Sequence, residues 1–159
     1  MKRALYGVIL SVAITILTVS SVLAQVDGFR GLKWGTEFST VESEMEYKQT
    51  SKDGINYYRK LGDEMKIGKA ELIELVYGFR ENKFCSVLIA VKGQSNFEWL
   101  RDTTFERFGP PTNRERENLE NVYLWLSDPN GKIRLAWITL GFGAMEIRSK
   151  HFAEPEAGF

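Results

Sequence analysis

The stretch Leu72-Ile73-Glu74-Leu75-Val76-Tyr77-Gly78-Phe79-Arg80-Glu81-Asn82-Lys83-Phe84-Cys85-Ser86-Val87-Leu88-Ile89-Ala90-Val91 decides the fold. Two runs of apolar, β-branched and aromatic residues flank the polar Arg80–Lys83, the pattern of a β-hairpin. Ile73, Leu75, Tyr77 and Phe79 are expected on one face, with Glu74 on the other. Cys85 falls in step with Val87, Ile89 and Val91 and reads as a small buried hydrophobe.

Upstream, Ile55, Tyr57, Arg59 and Leu61 alternate with Asn56, Tyr58 and Lys60, predicting a strand over 55–61. Met65 and Ile67 alternate before a turn at Gly68-Lys69. Phe38, Val41 and Met45 lie at helical spacing, and Ser39 with Glu42 has the form of a capping box. These predict a short helix over 38–47.

Downstream, Ser95 and Glu98 form a second capping-box pattern. Phe97, Leu100, Thr104 and Phe108 trace an apolar stripe, and Gly109-Pro110-Pro111 stops the helix. Residues 112–120 carry Arg114-Glu115-Arg116-Glu117, whose mixed charge predicts a solvated loop. Strands are expected over 121–127, 132–140 and 144–151, linked by Asp128-Pro129-Asn130-Gly131 and by Gly141-Phe142-Gly143. In the last strand Met145 and Ile147 oppose Glu146, Arg148 and Lys150. The expected architecture is α+β: two α-β-β-β units forming one antiparallel sheet, with two helices packed on one face. Such a sheet can leave its second face to solvent or to a partner.

The N-terminus addresses compartment. Met1-Lys2-Arg3 is basic, Ala4 to Val26 carries no charge, and Val22-Leu23-Ala24 ends the segment with small or modest side chains. This is the layout of a secretory signal peptide cut between Ala24 and Gln25. The uncharged stretch also reaches the ~20 residues that span a bilayer, so an uncleaved anchor is the alternative. In either case the domain is exported, into the periplasm, onto the membrane surface or beyond the cell. Cleavage leaves 135 of the 159 residues: a single domain over 25–152 and a fraying tail over 153–159. Two of the 21 basic residues leave with the segment, so the mature chain has formal charge −2. That balance lacks the electrostatic footprint of a nucleic-acid binder. With one cysteine, no internal disulfide can form.

Trp34-Gly35-Thr36 entering a helix that carries Val41, and Phe105-Glu106-Arg107-Phe108-Gly109-Pro110-Pro111 closing another, resemble a pattern in small exported bacterial proteins. Among these are uncharacterised proteins that start with a Phe-x-Gly-aliphatic-x-Trp-Gly motif. More distantly, the layout is similar to beta-lactamase-inhibitor protein and to small outer-membrane-assembly lipoproteins. The resemblance implies an envelope protein that binds other proteins and has no catalytic residues to carry over. The chain departs from the lipoproteins in having no acceptor cysteine at the cleavage site.

The chemistry of the remaining residues is sparse. His151 is the only histidine, too few for a zinc site or a histidine-based triad, and reads as a surface residue. Gly141-Phe142-Gly143 lacks the spacing and following helix of a phosphate loop. Asp128-Pro129-Asn130-Gly131 lacks the alternating acids of a calcium loop. No metal or cofactor is expected. Carboxylates are plentiful, so a small hydrolase using a carboxylate pair is the alternative to a non-enzymatic binding module. Among the tryptophans, Trp137 and Trp99 are expected in the core. Tyr57, Tyr58, Tyr123 and Trp125 are the candidate partner-binding residues, on whichever sheet face is open; the partner would be another envelope protein or a peptide. Intact mass of the exported protein is expected to show loss of residues 1–24; an unprocessed mass would establish the anchored alternative.

Overall fold

The hairpin forms β6 (Ala70–Arg80) and β7 (Lys83–Lys92). It turns through Glu81 and Asn82, both at positive φ, the geometry that matches the twist of the flanking strands. Each strand carries one unmatched residue, Ile73 in β6 and Cys85 in β7. These bulges break the expected alternation at Ile73 and Cys85, while Leu75, Tyr77 and Phe79 face away from Glu74 as expected. Leu72, Leu75, Tyr77 and Phe79 face the main core, whereas Ile73 is exposed. Cys85 is buried as expected, but in a separate cluster with Ile55, Tyr57 and Val76, apart from Val87, Ile89 and Val91.

The computed structural model describes residues 26–117, 120–138 and 140–152; the expected signal segment and tail lie outside them. The broad class is α+β, built mostly of antiparallel sheet. Before the hairpin come β1 (Gly28–Phe29), β2 (Leu32–Lys33), β3 (Met45–Thr50), β4 (Asn56–Lys60) and β5 (Lys66–Ile67). After it come α1 (Gln94–Phe108), β8 (Asn113–Glu117), β9 (Glu120–Trp125), β10 (Gly131–Ile138) and β11 (Phe142–Ser149). The main sheet runs β3-β4-β6-β7-β11-β10-β9-β8, with β5 paired to β6 to one side. Each half therefore contributes a four-strand path rather than three strands, and the halves join where β7 pairs with β11.

The helix expected over 38–47 does not form. Phe38–Thr40 and Glu42–Glu44 are two short 3-10 turns without side-chain caps, and Met45 already pairs with Lys60 as the start of β3. A ten-residue helix is marginal, and Glu44 and Glu46 would oppose its C-terminal dipole. Phe38 and Val41 still pack on the core. The charged segment expected as a loop is the edge strand β8, paired from Asn113↔Leu124 to Glu117↔Glu120. Alternating charges suit an exposed edge, where they discourage pairing with another chain.

The helix-side layer over the first half is the N-terminal hairpin β1–β2 with the 3-10 turns. Arg30 and Gly31 turn it at positive φ. Gly28 permits the close approach: a Cβ there would lie 2.1 Å from the Leu32 carbonyl oxygen. Phe29 meets Tyr77 edge-on, and Trp34 packs 4.8 Å from Phe84 and donates to the Val26 carbonyl. The Arg30 guanidinium donates to Asp63 (2.8 Å) and to the Glu64 and Lys66 carbonyls, fastening the 61–66 loop. Tyr77 donates to the other Asp63 oxygen.

On the same side α1 lies across the seam, over β6, β7 and β11, burying Phe97, Leu100 and Thr104. Its start differs from expectation: Gly93 is the N-cap and no side chain caps the helix. Gly93, at φ 87°, lets the chain leave β7 sharply, and its N–H bonds the Gly141 carbonyl. Trp99 faces solvent at 42% exposure, contrary to the core placement, while Trp137 packs at a tilt on Phe97 against the core. Asp128 closes the β9–β10 turn by accepting from the N–H groups of Asn130 and Gly131. Leu100→Ala is expected to cost about 2–5 kcal/mol in chemical denaturation, and Trp99→Ala about 0.5 kcal/mol or less.

Candidate functional site

Pairing of the central strands fixes which side chains stand beside one another on the face opposite α1. Ala90, Ala144 and Ala136 form one continuous row across β7, β11 and β10, with Glu74 at one end and Val122 at the other. The next row runs Val76, Leu88, Glu146, Arg134 and Leu124. Rows on one face are about 7 Å apart along the strands, so the methyl groups of Ala90 and Ala144 make a trough beside taller neighbours, whereas Ala136 is fully buried. A groove of about 550 Å³ opens there, lined among others by Glu74, Val76, Leu88, Ala90, Ala144 and Glu146. A second concavity of about 380 Å³ adjoins it, sharing Arg134 and Glu146 and adding Leu124, Leu126, Lys132 and Arg148.

Beside the groove lies an ionic network. Arg80 donates to the Asp53 carbonyl (2.7 Å) and carboxylate (3.2 Å), and Arg148 reaches the same carboxylate at 3.3 Å. Arg148 also donates to Glu146. The hydrogen bond from Ser51, partly opposed by desolvation, lowers the Asp53 carboxyl below its ordinary range, with Arg148 and Arg80 adding to the effect. Beneath the network, the Tyr57 hydroxyl lies 3.4 Å from Ser86 Oγ, a long and weak contact. Burial pushes the Tyr57 hydroxyl up, against the pull of Ser86 and Arg148. Arg59 Nη2 stands 3.8 Å from Glu74 Oε1, while Arg59 Nε and Glu74 Oε1 are buried without a hydrogen bond. Glu74 and Glu146 are the two carboxylates lining the first groove. Among the described residues there is no cluster of three or more metal-binding side chains.

The four aromatic residues singled out from sequence do not form one surface. Tyr57 belongs to the open-face cluster but is buried. Tyr58 packs on Phe38 and Phe79 on the opposite side, and Tyr123 lies edge-on to Phe105 of α1. Trp125 is buried in the core and donates to the Gly109 carbonyl at 3.0 Å. The reason is parity: residues adjacent in a strand point to opposite faces. The groove residues were missed because alanine carries no binding signal alone. The period-two spacing placed Glu146, Arg148 and Lys150 on one face, but not beside Arg134 or Lys132.

The chain matches no family model, no curated protein and no solved structure.

Cys85 is inaccessible, its Sγ 3.5 Å from the Gly78 carbonyl oxygen, and burial pushes the thiol up to about 11. Thiolate is the reactive form. Reaction with a thiol reagent at neutral pH is therefore expected to be negligible in the native protein and to accelerate through the denaturation transition; prompt native labelling would contradict this burial.

Proposed function

We propose that this chain is an exported, non-enzymatic envelope protein that binds another protein or a peptide on the open face of its sheet. The observation carrying this reading is the trough floored by Ala90 of β7 and Ala144 of β11, with Arg134 of β10 at its margin. It is concave and apolar at its centre, with charged groups at its margins, the composition of a recognition surface. Backbone hydrogen bonds within these strands are already satisfied by neighbouring strands, so a partner would be read by side chains. The edges β3 and β8 are rich in charge, which disfavours recognition by strand addition.

Export rests on the basic, apolar and small-residue regions before Gln25. The resemblance of Phe29-Arg30-Gly31-Leu32-Lys33-Trp34-Gly35 to the small exported proteins supports an envelope role. In this chain those residues build the β1–β2 hairpin and its aromatic anchors, so the motif itself acts in folding. The binding surface lies on the other side of the sheet. No helix among the described residues is long and apolar enough to cross a membrane; an anchored form would depend on retention of the N-terminal segment.

A second reading, a carboxylate hydrolase, is favoured by Glu74 and Glu146 lining one groove, with Glu74 Oε1 buried and lacking a hydrogen bond. An acid and a base in a shared cleft are the minimum for such chemistry. A hydrolytic activity abolished by both Glu74→Gln and Glu146→Gln would establish it in place of the binding role.

In-cell crosslinking of a C-terminally tagged form is expected to capture one partner at near-stoichiometric yield. Ala144→Arg, which fills the trough from a partly exposed position, is expected to remove at least about nine-tenths of that capture while leaving the circular-dichroism spectrum unchanged. Undiminished capture by the folded variant would overturn the open-face assignment.

A further inference from the structure

On the helix side of the sheet, between the first turns of α1 and the β9–β10 pair, lies a pocket of about 230 Å³. Gln94, Glu98 and Arg101 line it from one face of α1, spaced by four and three residues. Asn121 and Tyr123 line it from one face of β9. Tyr123 pairs with Leu135, so two residues further along β10 Trp137 stands beside Asn121. Trp137 is half-buried, its ring centroid 5.1 Å from that of Phe97 and the two planes tilted by 52°. A tilted neighbour, unlike a stacked one, leaves an indole face uncovered.

The charged groups of this pocket are balanced and already held. Glu98 and Arg101 cancel in charge. Glu98 Oε1 accepts from Gln94 Nε2 at 2.9 Å. Arg101 Nε donates to Asp102 Oδ1 at 2.8 Å, and Nη2 stands 2.7 Å from the same oxygen. Tyr123 is a further hydrogen-bond partner of Arg101. A charged ligand therefore gains nothing from net attraction here. What the pocket still offers is hydrogen bonding in both senses. The Gln94 and Glu98 oxygens accept, the Asn121 amide does both, and the guanidinium carries more N–H groups than Asp102 and Tyr123 take.

We propose that this pocket binds a neutral sugar ring, one C–H face of the ring on Trp137 and its hydroxyls on Gln94, Glu98, Arg101 and Asn121. Each hydroxyl both donates and accepts, so a sugar matches a rim of mixed donors and acceptors that has no net charge. Its weakly positive C–H face meets the negative face of the indole. The volume lies below the ~300 Å³ at which pockets for drug-sized ligands begin, which suits one ring and not a buried chain. The pocket is on the side of the sheet opposite the alanine trough, so the assignment is independent of the open-face role.

Saturation-transfer-difference NMR on the exported chain tests this with glucose, galactose, mannose and N-acetylglucosamine as probes. At least one ring is expected to bind with a Kd of ~10 mM or below, with the strongest transfer to the protons of one ring face. Added salt is expected to leave that affinity within about twofold, because no net charge is involved. The Glu98→Ala, Asn121→Ala double variant spares Trp137, whose loss would uncover Phe97. It is expected to bind at least about tenfold more weakly with an unchanged circular-dichroism spectrum. Ala144→Arg is expected to bind the sugar as the parent chain does. No binding of any of these rings at ~10 mM, or unchanged affinity in the folded double variant, overturns the proposal. Sorbitol binding as tightly as a ring overturns it in favour of hydroxyl contacts alone. Adenosine binding more tightly than every sugar overturns it in favour of a planar aromatic ligand.

Discussion

Antiparallel pairing of β7 with β11, from Phe142↔Lys92 to Arg148↔Ser86, holds the molecule together. It is the seam between two four-strand paths, each of which would otherwise end in an unpaired edge. The pairing also places Val87, Ile89 and Val91 beside Ile147, Met145 and Gly143 on the core side. On that side Gly143 is required by contact: a Cβ there would lie 2.5 Å from the Phe97 ring. The helix is thus seated directly on the seam, and the two halves share one apolar core.

The same seam creates the open-face surface. Ala90 and Ala144 are neighbours only because β7 and β11 pair in this register, and Ala136 extends the row through β10. Bulges at Ile73 and Cys85 break the period of β6 and β7, leaving Ile73 exposed and placing Cys85 in the open-face cluster with Ile55, Tyr57 and Val76. Bulges increase local twist and bend a strand, and here they redistribute polar and apolar side chains between two differently used faces. One face is sealed by the N-terminal hairpin, the 3-10 turns and α1. The other keeps a small apolar cluster, the Asp53–Arg80–Arg148–Glu146 network and two adjoining concavities.

Aromatic residues follow the sealed side. Trp34, Phe38, Tyr58, Phe79 and Phe84 form a connected set of ring contacts over the first half, and Phe105, Tyr123 and Trp125 another under α1. Ring count therefore identifies the core of this protein and not the proposed binding surface on the open face. Arg30 extends the same logic to a charged residue. Its fork is spent on the 61–66 loop, with Asp63 bridging to Tyr77, so a prominent arginine in a conspicuous motif serves structure.

The sequence by itself determined the local elements: the 72–91 hairpin, the stripe and glycine stop of α1, the Asp128–Gly131 turn and the alternation of Met145, Glu146, Ile147 and Arg148. These depend on interactions among residues close in the chain, where side-chain period and backbone preference suffice. The helix over 38–47 failed where a weak local pattern competed with pairing of Met45–Thr50 to β4, and Arg114–Glu117 became a strand by pairing with β9. Only the tertiary structure decided which face each strand residue occupies, because a single bulged residue inverts a period-two pattern without altering composition. It alone brought Ala90 beside Ala144, and Lys132 beside Arg148, since cross-strand neighbours are set by register between distant segments.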